Sequence, residues 1–266
     1  MASAQHLESL AMDIAREAGE LARRRRTEGV AIAATKSSIA DIVTEADREV
    51  EMLIRGRLAA ERPGDGFLGE ESGAGSGTTD ITWVVDPIDG TVNYAYGIPA
   101  YAVSIAAVRG APEPDRWEAL AGAVFSPSTG ELFHAAQGEG AWLLGERLQV
   151  NAELSGAGAL LGTGFGYNPA THAGDLARVA RVMPIARDLR RIGAASLDLA
   201  YVAAGRLDGY FERGLQPWDH AAGGLLVIEA GGRVARFELD DMPARPLFVA
   251  SGPQLFDELF AAAVGP

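Results

Sequence analysis

The chain has 266 residues, of which 48% are hydrophobic and 22% are charged, and it contains no cysteine. This balance is ordinary for a globular protein with a substantial core, and the absence of thiols excludes disulfides and thiolate-ligated metal sites. The formal net charge of −13 argues against a general nucleic-acid partner, because such binding depends on neutralising phosphates with Lys and Arg.

The termini and the hydropathy of the chain set its expected location. The first residues lack the basic region and the apolar segment of a secretory signal, and no apolar run approaches the roughly 20 residues that a membrane-spanning helix needs. We therefore expect a cytoplasmic protein that does not bind membranes. No linker or break in composition divides the sequence, so residues 1–266 are expected to form one domain.

The first half of the chain is predicted to be rich in antiparallel sheet. Apolar residues at helical spacing predict a long helix that ends in the run Arg23–Arg26, and a second helix is predicted after Thr44. Residues 30–40 favour a hairpin or a mobile segment that carries Lys36. Beyond them, short β-type runs broken by Gly and Pro predict strands near residues 66–72, 83–85, 103–108, 121–125 and 131–135, with a surface loop at 73–79.

The second half alternates strands and helices, which favours at least partly parallel pairing. Strands are predicted near residues 160–165, 188–192, 207–212, 233–237 and 247–250. Helices are predicted near 175–183, 195–204 and 218–230, and at the C-terminus. The two halves together predict an α/β fold in layers of helices and sheets.

The stretch Trp83–Thr91 carries the strongest chemical signal. Three bulky apolar residues predict a buried strand, and Asp86 and Asp89 follow it on either side of a Pro turn. Gly90 permits close approach to the backbone, and Thr91 stands at a predicted helix start. Acids at a strand end beside a helix N-terminus suit a hard divalent cation next to a phosphate.

Five acidic residues lie at the ends of predicted elements: Asp47, Glu70, Asp86, Asp89 and Asp219. Each alone is more often a helix cap or a solvated side chain than a functional group. If the fold brings the last four together, they form an all-oxygen site suited to Mg²⁺, with water and a substrate phosphate completing the coordination.

These motifs resemble those of the inositol monophosphatase family, which comprises magnesium-dependent, lithium-sensitive phosphomonoesterases. The matching segments occur in the family's order and at its spacing, and they span nearly the whole chain: residues 41–47, 69–72, 86–94, 192–195 and 218–223. The resemblance implies the layered sandwich of the sugar phosphatases and a homodimer.

The resemblance also implies how a metal and a phosphate are held. Two or three Mg²⁺ ions would be bound by Glu70, Asp86, Asp89, Asp219 and the main-chain carbonyl of Ile88. The backbone at Gly90 and Thr91 would receive the phosphate.

Further roles implied by the resemblance concern water and the alcohol part of the substrate. Thr91 and Asp47 would orient the attacking water and help to deprotonate it, and Glu70 would share that water through a metal. Lys36 would lie in a mobile loop that closes over the site. The residues facing the alcohol would be Ala194, Ala195 and Glu212.

The expected reaction is hydrolysis of a small phosphorylated polyol, with inositol 1-phosphate preferred as substrate. One departure bears on that choice: the family often has Thr or Ser after the glycine that matches Gly193, and this chain has Ala194. Related phosphatases of fructose 1,6-bisphosphate, phosphoadenosine nucleotides or histidinol phosphate are alternatives on the same metal core. A non-catalytic regulatory protein on this scaffold is the alternative from another class.

Overall fold

A computed structural model of the chain describes residues 2–29, 32–35, 42–111, 113–114, 116–153, 156–239 and 244–265. The helices of these residues are α1 (Ala4–Glu28), α2 (Glu45–Glu61), α3 (Thr91–Tyr96), α4 (Pro169–Val182), α5 (Ala195–Ala203), α6 (Pro217–Glu229) and α7 (Pro253–Val264). None of them is long and apolar enough to cross a membrane.

Strands make up most of the remaining regular structure. In the first half they are β1 (Ile32–Thr35), β2 (Ile42–Thr44), β3 (Gly66–Gly69), β4 (Gly73–Gly75), β5 (Ile81–Asp89), β6 (Ala102–Gly110), β7 (Trp117–Ser126), β8 (Glu131–Ala136), β9 (Gly140–Leu143) and β10 (Glu146–Arg147). In the second half they are β11 (Ala159–Thr163), β12 (Ala186–Arg190), β13 (Gly209–Arg213), β14 (Arg233–Phe237) and β15 (Leu247–Ser251).

The first half forms an eight-stranded sheet in the order β10-β9-β8-β7-β6-β5-β3-β4. All its neighbouring strands are antiparallel except β3 and β5, which run parallel. Strands β5 to β7 are nearly continuous in buried apolar residues because both faces of the sheet are covered. Helices α1 and α2 pack on one face, and α6, with a smaller contribution from α5, packs on the other.

The second half forms a five-stranded sheet in the order β12-β11-β13-β15-β14. Strand β11 is parallel to both of its neighbours, and the other pairs are antiparallel. Helices α4 and α7 cover its outer side. One apolar cluster joins both sheets through α5 and α6 and includes Val84, Phe133, Tyr210 and Phe248. The layers are therefore helix, sheet, helix, sheet, helix, as expected for an α/β sandwich.

The predicted order of strands and helices in both halves is confirmed, with element ends displaced by a few residues. Two local predictions are wrong. The segment 73–79 is not wholly loop, because Gly73–Gly75 pairs with β3 as an edge strand. Pro87 does not end its strand, because β5 continues to Asp89 with an irregular register against β6 between Asp86 and Asp89.

The segment that contains Lys36 is described only in part. Strands β1 and β2 pair antiparallel, in agreement with a hairpin, but Lys36 itself lies outside the described residues. The placement of this lysine over the site stays a prediction.

Candidate active site

A cleft of about 600 Å³ opens where ends of both sheets meet the N-termini of four helices. Strands β3, β5, β11 and β13 end at this cleft, and helices α3, α4, α5 and α6 begin there. The predicted site residues that line it are Glu70, Asp86, Ile88, Asp89, Gly90, Thr91, Ala194, Ala195, Glu212 and Asp219. The fold thus brings together residues that lie up to about 150 positions apart in the sequence.

The three aspartates of the cleft that are predicted metal ligands share one arrangement: in each, one carboxylate oxygen accepts a hydrogen bond from a main-chain N–H. Asp86 Oδ1 accepts from the amide of Ile88 at 3.1 Å. Asp219 Oδ2 accepts from the amide of Gln216 at 2.7 Å, within the capping box of α6. Asp89 Oδ2 accepts from the amide of Ser196 at 2.7 Å. The backbone therefore holds each carboxylate in one orientation.

The electrostatics of the cleft favour binding of a cation. Burial and the neighbouring charge of Glu70 raise the pKa of Asp86 well above its usual range. Burial, together with the charges of Asp89 and Glu70, also raises the pKa of Asp219. Burial raises the pKa of Asp89 to about 6, although hydrogen bonds from Ser196 oppose that shift. Carboxylates that repel one another in a buried place are stabilised by positive charge between them.

The donor set fits a hard divalent cation, because every candidate ligand is an oxygen. Within the described ranges, no group of three or more His, Asp or Glu side chains is already arranged so that it could hold a metal ion. Mg²⁺ does not require such an arrangement, since it is usually held by one or two carboxylates together with waters and substrate phosphate oxygens. The residues present therefore suit open Mg²⁺ sites.

Thr91 joins the metal-binding side of the cleft to a buried acid behind it. Its Oγ1 lies 3.2 Å from Asp47 Oδ1 and 3.1 Å from the carbonyl oxygen of Ile88. Asp47 does not line the cleft but is almost fully buried beneath it. The predicted pair of Thr91 and Asp47 is thus in hydrogen-bond contact, with Thr91 between Asp47 and the cleft.

Gly90 caps α3 in the left-handed conformation, with φ of +88°. A Cβ at this position would lie 2.9 Å from the carbonyl oxygen of Ala100 and 3.1 Å from that of Gly193. Only glycine adopts this conformation and leaves this space without strain. The first amides of a helix have no intrahelical acceptor, so the start of α3 can offer N–H groups to a ligand beside the carboxylates.

The opposite side of the cleft is built around Glu212. Tyr210 donates a hydrogen bond to Glu212 Oε2, and burial raises the pKa of Glu212 to about 7. Gly164 makes room for this carboxylate, because a Cβ on Gly164 would overlap it. Ala194 and Ala195 lie nearby at the start of α5. This wall offers an acceptor for hydroxyl groups next to small apolar side chains.

Among the residues that the sequence does not predict, Asp198 and Arg191 line the cleft, and Ser196 is buried next to it. Ser196 contacts Asp89, Asp198 is buried on α5, and Arg191 stands exposed on the rim. The sequence signal for them was their position directly around the Gly193–Ala195 motif. His220, which follows Asp219 directly, is packed against Phe248, with ring centroids 4.7 Å apart.

Comparisons with known proteins agree with this architecture. A model of the inositol monophosphatase family matches residues 3–265. The chain is 45% identical over 274 residues to an inositol-1-monophosphatase of Mycobacterium bovis, an alignment that covers 96% of this chain and 92% of that protein. It is 40% identical over 232 residues to the Nus factor SuhB of Escherichia coli, covering 86% of this chain and 84% of that one.

A solved structure supports the same assignment. Mycobacterium tuberculosis SuhB matches with a TM-score of 0.83 and 44% identity, covering 98% of this chain and 97% of that chain. With the family match across nearly the full length, the chain belongs to the inositol monophosphatase family.

Proposed function

We propose that this phosphatase hydrolyses a small phosphomonoester in a Mg²⁺-dependent reaction, with inositol 1-phosphate as the preferred substrate. The observation that carries the proposal is the convergence of Glu70, Asp86, Asp89 and Asp219 on one cleft beside the N-terminus of α3. Among the described residues, no ion pair joins the three aspartates to a basic side chain. Their negative charge is therefore available to metal ions.

The metal-binding residues in this proposal are Glu70, Asp86, Asp89, Asp219 and the carbonyl of Ile88, and they would hold two or three Mg²⁺ ions. Bound Mg²⁺ would supply the positive charge that offsets the charge of the phosphate and would make a bound water more acidic. The amides of Gly90 and Thr91 would bind phosphate oxygens, since the start of a helix presents N–H groups to anions. These contacts position the phosphorus for attack by water.

Thr91 and Asp47 would act on the attacking water. Thr91 Oγ1 can accept a hydrogen bond from water while it donates its own proton toward Asp47 Oδ1, 3.2 Å away. As the water oxygen bonds to phosphorus, the bond between phosphorus and the alcohol oxygen would break; the water's proton would pass to Thr91 and the hydroxyl proton of Thr91 to Asp47. The departing alcohol oxygen would take up a proton from a solvent water in the cleft. A buried acid within hydrogen-bond reach of the hydroxyl is the geometry that such a transfer needs.

Glu212 would select the alcohol. Within the described chain only Tyr210 hydrogen-bonds to its carboxylate, so acceptor capacity remains for substrate hydroxyls. Ala194 and Ala195 add apolar contact without a competing polar group. The several hydroxyl groups of a polyol could donate to this carboxylate, which supports inositol 1-phosphate as the substrate.

The test is phosphate release from inositol 1-phosphate, fructose 1,6-bisphosphate, phosphoadenosine phosphate and histidinol phosphate, each with Mg²⁺ and with EDTA. The proposal expects release that depends on Mg²⁺ and is fastest with inositol 1-phosphate. If another compound of the panel were hydrolysed fastest, the proposed Mg²⁺-dependent reaction would stand and the proposed substrate would be replaced. No release from any substrate, with Mg²⁺ bound, would favour a regulatory role, such as the name of the Escherichia coli relative suggests for that protein.

Three further properties belong to the proposal because the family resemblance suggests them. We expect a homodimer, inhibition by Li⁺ and a cytoplasmic location. Sedimentation velocity, Li⁺ titration of the phosphatase activity and cell fractionation test them in turn.

A further inference from the structure

Ser196 makes two hydrogen bonds to one oxygen of Asp89. Its main-chain amide lies 2.7 Å from Asp89 Oδ2, and its hydroxyl Oγ lies 2.5 Å from the same atom. Ser196 is completely buried, and Asp89 is 8% exposed. The two residues are 107 positions apart, so this contact exists only in the folded chain.

The contact caps α5 from outside the helix. The N-cap residue Ala194 has no side-chain acceptor for the first amides of α5. Asp89 supplies that acceptor, and its negative charge lies at the positive end of the helix dipole. Asp89 Oδ2 is thus committed to α5, and the main-chain amide of Ala195 also donates to this carboxylate. A cation in the cleft would use the carboxylate's remaining lone pairs.

We propose that Ser196 is a positioning residue for the Mg²⁺ ligand Asp89, an inference that rests on the function proposed above. By fixing Oδ2, the hydroxyl of Ser196 restricts the rotation of the carboxylate that would hold the metal. The chain lacks a hydroxyl at Ala194 and has one two residues later, at Ser196. In this chain the hydroxyl of Ser196, at the start of α5, contacts the proposed metal ligand Asp89.

The expected effect follows from the behaviour of groups that orient metal ligands, whose loss typically costs roughly 10–100-fold in metal affinity or activity. In Ser196→Ala the amide bond to Asp89 remains and the hydroxyl bond is lost. We therefore expect Mg²⁺ binding to weaken by about tenfold. Turnover at saturating Mg²⁺ should fall much less, because the ligand itself is unchanged.

The experiment measures Mg²⁺ binding to the full-length protein by isothermal titration calorimetry, with the rise in melting temperature on Mg²⁺ addition as a second readout. Ser196→Ala is compared with Ser251→Ala, a matched control that also loses a buried serine hydroxyl, in this case one bonded to the carbonyl of Gly252 in the five-stranded sheet. Both variants should melt at similar temperatures without metal. Only Ser196→Ala should show the weaker affinity and the smaller Mg²⁺-dependent rise.

Ser196→Cys separates hydrogen bonding from packing, since it fills the same space with a weak donor. Weakened Mg²⁺ binding in this variant supports the positioning role. Wild-type affinity in both Ser196 variants would overturn it while leaving the proposed function intact. Failure of the unaltered protein to bind Mg²⁺ and to release phosphate would instead overturn the proposed function.

Discussion

Thr91 Oγ1 lies 3.2 Å from Asp47 Oδ1, across 44 positions of sequence and at the boundary between the cleft and the buried core. Thr91 begins α3 and Asp47 lies in the first turn of α2. The contact connects a cleft-facing hydroxyl to an acid that water cannot reach directly. In the proposed reaction the proton therefore moves from the cleft toward the buried core.

The first prediction concerns this pair. Asp47→Asn should lower kcat by roughly 10²-fold or more, as expected for loss of a general base, because an amide cannot take up the proton of Thr91. KM should change little, since Asp47 does not line the cleft. Steady-state kinetics with inositol 1-phosphate measures both parameters. A kcat near the wild-type value would remove Asp47 from the mechanism, and Asp13→Asn on the exposed surface of α1 is the control.

The second prediction concerns Asp89. Asp89→Asn should abolish turnover and leave the fold largely intact, because the amide oxygen can still accept the hydrogen bonds from Ser196 but carries no charge for a cation. Circular dichroism and thermal unfolding without metal measure the fold, and phosphate release measures turnover. Asp80→Asn, which removes an exposed acid that pairs with Arg109, should retain full activity. Near-normal activity in Asp89→Asn would contradict the site assignment.

The third prediction concerns substrate choice. Glu212→Gln should change preference between substrates more than it changes kcat, because in the proposed site Glu212 faces the alcohol and not the phosphate. Loss of one hydrogen bond to a charged acceptor, about 1.5–3 kcal/mol, should lower kcat/KM for inositol 1-phosphate by about tenfold or more. Equal losses for all four substrates of the panel would argue against this contact. Glu118→Gln, on the exposed end of β7, should leave the ratios unchanged.

The fourth prediction concerns pH and the metal-free protein. The pKa of Glu212 is raised from 4.5 to about 7, chiefly by burial, so the folded state binds this proton more tightly than the unfolded state does. Its contribution to stability is present below about pH 4.5 and is lost as the pH rises toward 7. Glu212→Gln removes this loss, so the variant should gain stability relative to the wild type between pH 5 and pH 8, on the order of 1–2 kcal/mol.

Urea unfolding in EDTA at several pH values measures this difference. The other acids of the cleft titrate in both proteins, so the difference between the two curves reports Glu212 together with its electrostatic effect on neighbours such as Asp219. A difference in the free energy of unfolding that stays constant across the pH range would show that the carboxyl of Glu212 is not perturbed.

The fifth prediction concerns the hairpin between β9 and β10. Leu144 has a φ of +52°, and its side chain is 78% exposed. Leucine is strained in the left-handed region, whereas Asn-Gly is favoured in two-residue hairpin turns. Leu144→Asn should therefore stabilise the protein by about 0.5–1 kcal/mol. Thermal unfolding measures the gain in stability. The control is Leu176→Asn on the exposed side of α4, which should give no gain. A gain in both variants would show that replacing an exposed leucine by a polar residue is the cause.

The sequence predicted the order of elements well where periodicity was strong. The alternating second half, from Ala159 to Val264, was recognised because helical and strand periods differ clearly. Strand β4 was missed because Gly73-Ala74-Gly75 carries no β-type residues, and only pairing with β3 makes it a strand. The continuation of β5 beyond Pro87 was missed because a proline usually interrupts strand hydrogen bonding.

The candidate site was predictable as a set of acids but not as a geometry. Motif spacing identified Asp86 and Asp89, and the fold places both on the cleft. Spacing could not reveal that Asp89 accepts two hydrogen bonds from Ser196, because that contact depends on how α5 packs against β5. For the same reason, the burial of Asp47 behind Thr91 is visible only in three dimensions.

The central helix layer bears on how metal binding should be lost when the protein unfolds. Helices α5 and α6 are buried between the two sheets in one apolar cluster, and their N-termini carry Ser196 and Asp219. The proposed metal ligand Asp219 and the residue that contacts Asp89 therefore lie at the ends of elements enclosed between the two sheets. Local fraying at the surface cannot loosen the site gradually, and heat or denaturant should remove metal binding and tertiary structure in the same step.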